Sequence, residues 1–364
     1  MRILLAAGGT AGHILPAIAL AQELATQGIE SALIGAQDGM EARLAAEHKL
    51  EFVGVRAGKL DRSRPDPRAL WAAAMGFFDA IGTVRRYKPR CVVGFGGFAS
   101  FPGVAAAALT NTPLVLHEAN AYPGLVTRFF APRAKLVALA DQATKAYLKS
   151  IPTALVGMPV REQHLEKSVA REQLGLAPNK FTVLVMGGSQ GSVRLNALLP
   201  PILEQALEAK NAQVLHQTGR GRLSEVAPRT AHLPWYSCAE FVDGVAAFSA
   251  ADFAITRAGM STIADAAFHG VPLAAVPLPS SAEDHQRKNA LALEQRGAGL
   301  CILESELEST GLDAQRHVAL DSKLISGMLS CFDASHHAAW QKTVQQYSPR
   351  GAAKRLADAV LEAL

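Results

Sequence analysis

Arg2-Ile3-Leu4-Leu5-Ala6-Ala7 runs without a break into Gly8-Gly9-Thr10-Ala11-Gly12-His13. An apolar segment of strand length ends in a glycine turn, and a helical pattern follows from about Leu15 to Thr26, stopped near Gly28. That order is the opening of a βαβ unit. The same order returns halfway along the chain, where Phe181-Thr182-Val183-Leu184-Val185-Met186 runs into Gly187-Gly188-Ser189-Gln190-Gly191-Ser192. Either turn alone could be no more than a tight strand–helix connection. Two in equivalent positions argue for two doubly wound halves, each with a ligand crevice at its strand ends.

Working outward from the first turn, further strands are expected at Ser31–Gly35, Cys91–Phe95, Pro113–His117, Leu136–Ala140 and Thr153–Val156. Gly157-Met158-Pro159-Val160-Arg161 then breaks the pattern and marks a linker. Beyond the second turn, strands are expected at Gln213–His216, Ala239–Val242, Phe253–Thr256 and Pro272–Val276. The expected organisation is an α/β chain with a first domain of 1–157 plus about 340–364, and a second of 158–339. The helical tail from about Trp340 would pack back on the first domain. A length of 364 residues agrees with two cores rather than one.

Composition narrows the function. A hydrophobic content of 49% with 19% charged residues describes a globular protein. Cys91, Cys238, Cys301 and Cys331 are scattered, form no C-x-x-C pair, and fit neither a zinc site nor a disulfide framework. No charged leader precedes an apolar core and cleavage site, and no apolar run reaches transmembrane length, so a cytoplasmic or peripheral protein is expected. A net charge of +4 leaves phosphorylated substrates and anionic membranes open. An aromatic content of 6%, without basic–aromatic interleaving, argues against nucleic acid.

A glycine turn entering a helix presents backbone N–H groups and a positive dipole end, which suit phosphate. The first turn reads G-G-T-x-G-H rather than G-x-G-x-x-G, and the next strand ends at Gly35 with no acidic residue for a ribose diol. NAD and a dehydrogenase are therefore disfavoured. The chain has no G-x-x-x-x-G-K-[ST], which excludes a P-loop, and no D-x-D to hold a metal against a diphosphate. Metal-independent chemistry without a cofactor is expected.

Chemistry-bearing residues collect after the strands. His13 stands just past the first turn, and His117-Glu118-Ala119-Asn120-Ala121-Tyr122-Pro123-Gly124 follows another strand. Arg257-Ala258-Gly259-Met260-Ser261-Thr262-Ile263-Ala264-Asp265 offers small residues and amides for a second phosphate, with Asp265 as an acceptor from ribose hydroxyls. In Glu283–Ala290, His285 and Gln286 could meet sugar hydroxyls.

Together with Gly94-Phe95-Gly96-Gly97-Phe98 and Gly157–Arg161, these blocks resemble, in order and over nearly the whole chain, the MurG family of bacterial glycosyltransferases. The resemblance implies a GT-B architecture, two Rossmann-like domains facing across a cleft. It implies transfer of N-acetylglucosamine from UDP-N-acetylglucosamine to undecaprenyl-diphosphate-linked muramyl-pentapeptide in peptidoglycan synthesis, at the cytoplasmic face of the membrane. On the donor side it points to Arg161, Ser189, Gln190, Val242, Met260, Ser261, Thr262, Asp265 and Gln286, with Thr10, Ala11, Gly12 and Asn120 approaching from the first domain. His13 and Glu118 form the acceptor-side catalytic pair, either being the general base. The chain departs from the family at Ala11 (usually Gly), Met158 (usually Asn) and Asp265 (usually Glu).

An acceptor with a polyprenyl tail must be met at a bilayer. Leu70-Trp71-Ala72-Ala73-Ala74-Met75-Gly76-Phe77-Phe78, flanked by Arg62, Arg64, Arg68, Arg85, Arg86 and Lys88, has the composition of an interfacial segment on an anionic inner-membrane surface, or of a core helix with solvated flanks. Two competing readings share the architecture: a UDP-N-acetylglucosamine 2-epimerase, which needs no acceptor, and a non-catalytic UDP-sugar-binding subunit.

Overall fold

The computed structural model describes residues 1–56, 67–188, 190–310, 322–348 and 350–364. Arg62, Arg64 and Ser189 lie outside the described residues. The chain divides into two compact units, Met1–Val160 with Gly351–Leu364, and Arg161–Arg350.

In the first unit the strands are β1 (Arg2–Ala6), β2 (Glu30–Ala36), β3 (Glu51–Val55), β4 (Cys91–Gly94), β5 (Leu114–Glu118), β6 (Leu136–Leu139) and β7 (Thr153–Leu155). Between them run α1 (Ala11–Thr26), α2 (Met40–Glu47), α3 (Pro67–Tyr87), α4 (Phe101–Leu109) and α5 (Leu125–Phe130). Sheet order is β3-β2-β1-β4-β5-β6-β7, and every pairing is parallel. A parallel sheet needs helices on both faces, and the alternation along β1 shows how they are recruited. Ile3 and Leu5 point into one apolar layer with Leu20 and Leu24 of α1, while Leu4 and Ala6 point into the opposite layer with Val84 of α3 and Val104 of α4.

The second unit contains α6 (Lys167–Gln173), β8 (Phe181–Met186), α7 (Val193–Leu207), β9 (Ala212–Gln217), α8 (Ala227–Thr230), β10 (Tyr236–Ala239) and α9 (Gly244–Ala250). It continues through β11 (Phe253–Arg257), α10 (Met260–His269), β12 (Leu273–Val276), α11 (His285–Gln295) and β13 (Gly299–Cys301). It closes with α12 (Glu304–Thr310), α13 (Lys323–Ser330) and α14 (Ala334–Tyr347). Its sheet order is β10-β9-β8-β11-β12-β13, again parallel throughout.

The tail behaves differently from expectation. Trp340 of α14 packs against Phe253 of β11 with ring centroids 6.0 Å apart, so residues 340–350 stay with the second unit. The return to the first unit is made by α15 (Ala352–Glu362), which buries Leu356 and Val360 beside α1 and ties Arg355 Nε to the Val156 carbonyl at 3.0 Å. Leu356 is fully buried, and Leu356→Ala is expected to cost about 2–5 kcal/mol. A thermal melt unchanged by that substitution would show the tail to be dispensable to this core.

Other differences are local. Helix α1 begins at Ala11, four residues before the expected start, so Ala11, Gly12 and His13 form its first turn. β10 covers Tyr236–Ala239, not Ala239–Val242: Phe241 is exposed and Val242 is a buried loop residue. β3 and β13 were not expected. Both are short edge strands, one interrupted by Gly54 and the other opening on Gly299.

Candidate functional site

Each sheet has one point where chain order reverses. In the first unit it lies between β1 and β4, and in the second between β8 and β11. There the strand-end connections depart to opposite faces and leave a crevice at the carboxyl edge. The first crevice receives Gly8–His13 and Gly96–Gly97, the second Gly187–Ser192 and Arg257–Met260.

At the first crevice the two glycine segments interlock. Gly9, Gly96 and Gly97 all have positive φ, at 88°, 79° and 80°. A Cβ on Gly97 would strike the Gly8 carbonyl, and one on Gly9 would lie 2.9 Å from the Phe98 ring. From the opposite side the buried carboxylate of Glu41 accepts the Gly9 N–H at 2.6 Å. His13 rises from this framework. Its Nδ1 is 2.9 Å from the Phe95 carbonyl oxygen, which can only accept. In the neutral ring the hydrogen therefore sits on Nδ1, and Nε2 carries the lone pair.

His117 is wholly buried behind it, with Nε2 3.2 Å from the Gly157 carbonyl oxygen. Burial pushes its pKa down to about 4, so it is a neutral structural ring. Glu118 is also buried. One carboxylate oxygen accepts from Asn120 N at 3.0 Å and Asn120 Nδ2 at 3.2 Å, and the other from Gly124 N at 3.0 Å. Burial raises its pKa, against these donors and the Thr127 hydroxyl, which pull it down. The carboxylate is thus committed to shaping the 118–124 loop, and through it places Asn120. Thr144 Oγ1 donates to the Asn120 carbonyl at 2.6 Å and fixes the loop from the other side.

At the second crevice Gly191 N closes on the Gly188 carbonyl at 2.9 Å. Gly191 has φ 71°, and its Cβ position is filled by the Thr218 carbonyl. Ser192 caps α7 by accepting from Leu195 N, and Gln190 is exposed at the turn. Two residues absent from the expected site hold this turn in place. Gln217 donates to the Gly188 carbonyl at 2.8 Å and accepts from Val242 N at 3.4 Å. Buried Arg257 donates to Ser192 Oγ at 2.7 Å, reaches the Val276 and Pro277 carbonyls at 3.4 and 3.3 Å, and pairs with Glu304 at 2.6 Å. An arginine ending an apolar strand was the available signal for Arg257. Its partners are too distant in sequence to be read.

Along α10, Met260 is buried while Ser261 and Thr262 are half-buried in the first turn. Asp265 stands a turn further, with no hydrogen bond or ion pair among the described residues, and burial pushes its pKa up to about 7. Gln286 of α11 accepts from Leu278 N at 3.0 Å. Arg161 is exposed and 3.4 Å from Asp243, the residue after Val242 and the cap of α9. The turn, Val242 and Arg161 are therefore linked through Gln217 and Asp243, and Met260–Asp265 share one helix. Gln286 stands on the neighbouring helix with its amide engaged by a loop. Among the described residues no three His, Cys, Asp or Glu side chains converge as a metal site.

Residues 3–139 match the glycosyltransferase family 28 N-terminal domain, and residues 182–329 match the glycosyltransferase family 28 C-terminal domain. The chain is 42% identical over 390 aligned residues to the UDP-N-acetylglucosamine–N-acetylmuramyl-(pentapeptide) pyrophosphoryl-undecaprenol N-acetylglucosamine transferase of Deinococcus radiodurans, covering 98% of this chain and 94% of the relative. The protein of the same name from Thermus thermophilus is 38% identical over 99% of each chain. Among solved structures, MurG of Acinetobacter baumannii aligns with a TM-score of 0.77 at 26% identity, over 99% of both chains. A UDP-GlcNAc 2-epimerase from Neisseria meningitidis, bound to UDP-GlcNAc, aligns over 100% of both at a TM-score of 0.69 but 14% identity, a likeness of fold alone.

Proposed function

We propose, because the chain belongs to glycosyltransferase family 28, that it transfers N-acetylglucosamine from UDP-N-acetylglucosamine to lipid-linked N-acetylmuramyl-pentapeptide, the step from lipid I to lipid II in peptidoglycan synthesis. The observation that carries this reading is likeness over the full length: transferases of that name match at 42% and 38% identity across both units. The epimerase likeness stops at the fold.

In the proposed reaction the C4 hydroxyl of the muramyl sugar attacks the anomeric carbon of the donor with inversion. A C–O bond forms there, the bond to UDP breaks with its electron pair leaving on UDP, and the hydroxyl proton passes to His13 Nε2. The fixed Nδ1–H to Phe95 supports His13 as this base. Glu118, with both oxygens accepting loop N–H groups, is assigned instead to positioning Asn120. The second glycine turn (Ser189 and Gln190 included) and Arg161 are assigned to the leaving diphosphate, Val242 to the uracil side, and Met260, Ser261 and Thr262 to the same pocket. Asp265 takes the ribose and Gln286 the donor sugar, with Thr10, Ala11, Gly12 and Asn120 contributing from the first unit. Incubation with labelled UDP-N-acetylglucosamine and a synthetic lipid-linked acceptor tests the whole assignment. Transfer that persists in chelator is expected, and donor consumed without acceptor would instead favour an epimerase.

We place the acceptor's lipid at the first unit's α3–α4–α5 face. Trp71, Phe78, Leu109 and Phe129 are 68, 63, 63 and 65% exposed, a concentration of apolar surface that water does not favour. An open apolar cavity lies among Phe77, Phe101, Leu109, Phe129 and Phe130, with Arg133 at its rim. Arg85 and Arg86 end α3, and Arg128 ends α5, supplying cations for anionic headgroups. No described helix is long and apolar enough to cross a membrane. A Trp71/Phe78/Phe129→Ser variant is expected to lose sedimentation with anionic vesicles while keeping its melting temperature. Equal sedimentation of variant and wild type would remove this face from membrane contact.

A further inference from the structure

The first glycine turn has the sequence of a phosphate cradle, yet its geometry holds an anion of the protein's own. Glu41, in the first turn of α2, is buried, and its carboxylate accepts the Gly9 N–H at 2.6 Å, a short charge-assisted bond. Three glycines make the room. A Cβ on Gly8 or on Gly39 would overlap the Glu41 carboxylate oxygens, and a Cβ on Gly35 would come within 2.9 Å of its Cγ. Close approach at Gly8 is thus used up by a side chain. Positive φ at Gly9 turns its N–H toward that side chain, and Phe98 closes the turn from above.

We propose that Glu41 determines the specificity of this turn: its carboxylate occupies the anion position at the Gly9 N–H and bars a phosphate, so the turn receives an uncharged sugar group. A phosphate at such a turn needs converging N–H groups and an absence of negative charge. Here one of the converging donors is spent, and a carboxylate lies against it. The next N–H groups, those of Thr10, Ala11 and Gly12, precede the first helical bonds, which His13 N and Ile14 N make to the Thr10 carbonyl. These donors suit a hydroxyl or acetamido oxygen, which the nearby carboxylate does not repel. Both diphosphates then fall to other elements, the donor's to the second turn. In that turn the Gly188 carbonyl accepts from the Gln217 amide and the Ser192 hydroxyl from Arg257, itself paired with Glu304, and among the described residues no carboxylate accepts from the turn N–H groups.

The inference rests on the transferase reading for the identity of the sugar, but its test does not. Amide signals of ¹⁵N-glycine-labelled full-length protein are followed during titration with inorganic pyrophosphate. In the wild type, Gly188 and Gly191 are expected to shift saturably while Gly9 and Gly12 stay in place. In Glu41→Gln, which keeps the volume and one acceptor oxygen but loses the charge, Gly9 and Gly12 are expected to join them, with at least tenfold tighter apparent binding at that turn. Wild-type Gly9 and Gly12 signals that move at the same concentrations as Gly188 would overturn the proposal without any variant. So would a folded Glu41→Gln protein in which they never move. A sugar-transfer assay on the same wild-type sample separates the two ideas. A protein without transfer but with this shift pattern loses the functional reading only, whereas an active protein whose first turn binds pyrophosphate loses this one.

Discussion

Replacing His13 with alanine is expected to lower kcat for sugar transfer by about 10²–10⁴-fold, the usual worth of a general base, and to leave donor affinity nearly unchanged. The expectation follows from how little freedom the ring has. Phe95 follows β4 directly, its carbonyl holds Nδ1 at 2.9 Å, and Gly97 passes so close that a Cβ there would sit 3.0 Å from the ring's Cδ2. Held in that orientation, the neutral ring presents Nε2 as its proton acceptor. His13→Gln should fail as completely, because an amide of similar shape accepts a proton poorly. Glu118→Gln should behave otherwise. Its new NH₂ group would face either the Gly124 N–H or the Asn120 donors, so the 118–124 loop should loosen, KM rise and the melting temperature fall. Near-normal turnover by His13→Ala together with a collapse of kcat alone in Glu118→Gln would exchange the two assignments.

How far these roles could be read in advance depended on whether partners are near in sequence. The strand–glycine turn–helix order at Arg2–Thr26 and again at Phe181–Leu207 was legible because it is contiguous, and the two switch points follow from it. Glu41 was not legible. It lies 32 residues from Gly9 on a short helix, and the pattern at Gly8-Gly9 is the same whether a phosphate or a carboxylate fills it. Gln217 and Arg257 were within quoted or neighbouring segments, yet their function lies in reaching Gly188 at 29 residues and Ser192 at 65. The late return of the tail has a similar cause. Both α14 and α15 read as helix, and only tertiary partners, Phe253 for Trp340 and the α1 layer for Leu356, decide which core each joins. The edge strands β3 and β13 escaped because short strands interrupted or opened by glycine carry little periodicity.

Asp265 is expected to trade stability for donor binding, and the two halves of that trade have opposite pH signatures. Its pKa rises from 3.8 to about 7 because burial disfavours the charged form and no described partner compensates. Between those values the folded protein holds a proton that the unfolded chain has released. Stability therefore falls as pH rises through this window, and the full cost is present above about 7. Asp265→Asn removes the charge and should stabilise the protein at pH 8 by about 1–3 kcal/mol, a figure reduced for the partial exposure of the residue, with little change at pH 4 or below. Ribose hydroxyls, by contrast, donate to the ionised form. Wild-type affinity for UDP-N-acetylglucosamine should therefore strengthen as pH rises from 6 to 8, since below the raised pKa the carboxyl must first lose its proton. In Asp265→Asn that dependence should vanish and the Kd should rise by roughly ten- to a hundredfold, the worth of a hydrogen bond to a charged group. Scanning calorimetry at pH 4 and 8 measures the stability, and titration calorimetry at pH 6 and 8 the affinity. A variant that melts lower than wild type at pH 8 would show the carboxylate to be structurally satisfied. Unchanged donor affinity would remove Asp265 from the ribose. Gain of stability with loss of binding would be the pattern of a residue kept for its ligand, because the buried charge has no partner among the described residues and a bound hydroxyl pair would supply one.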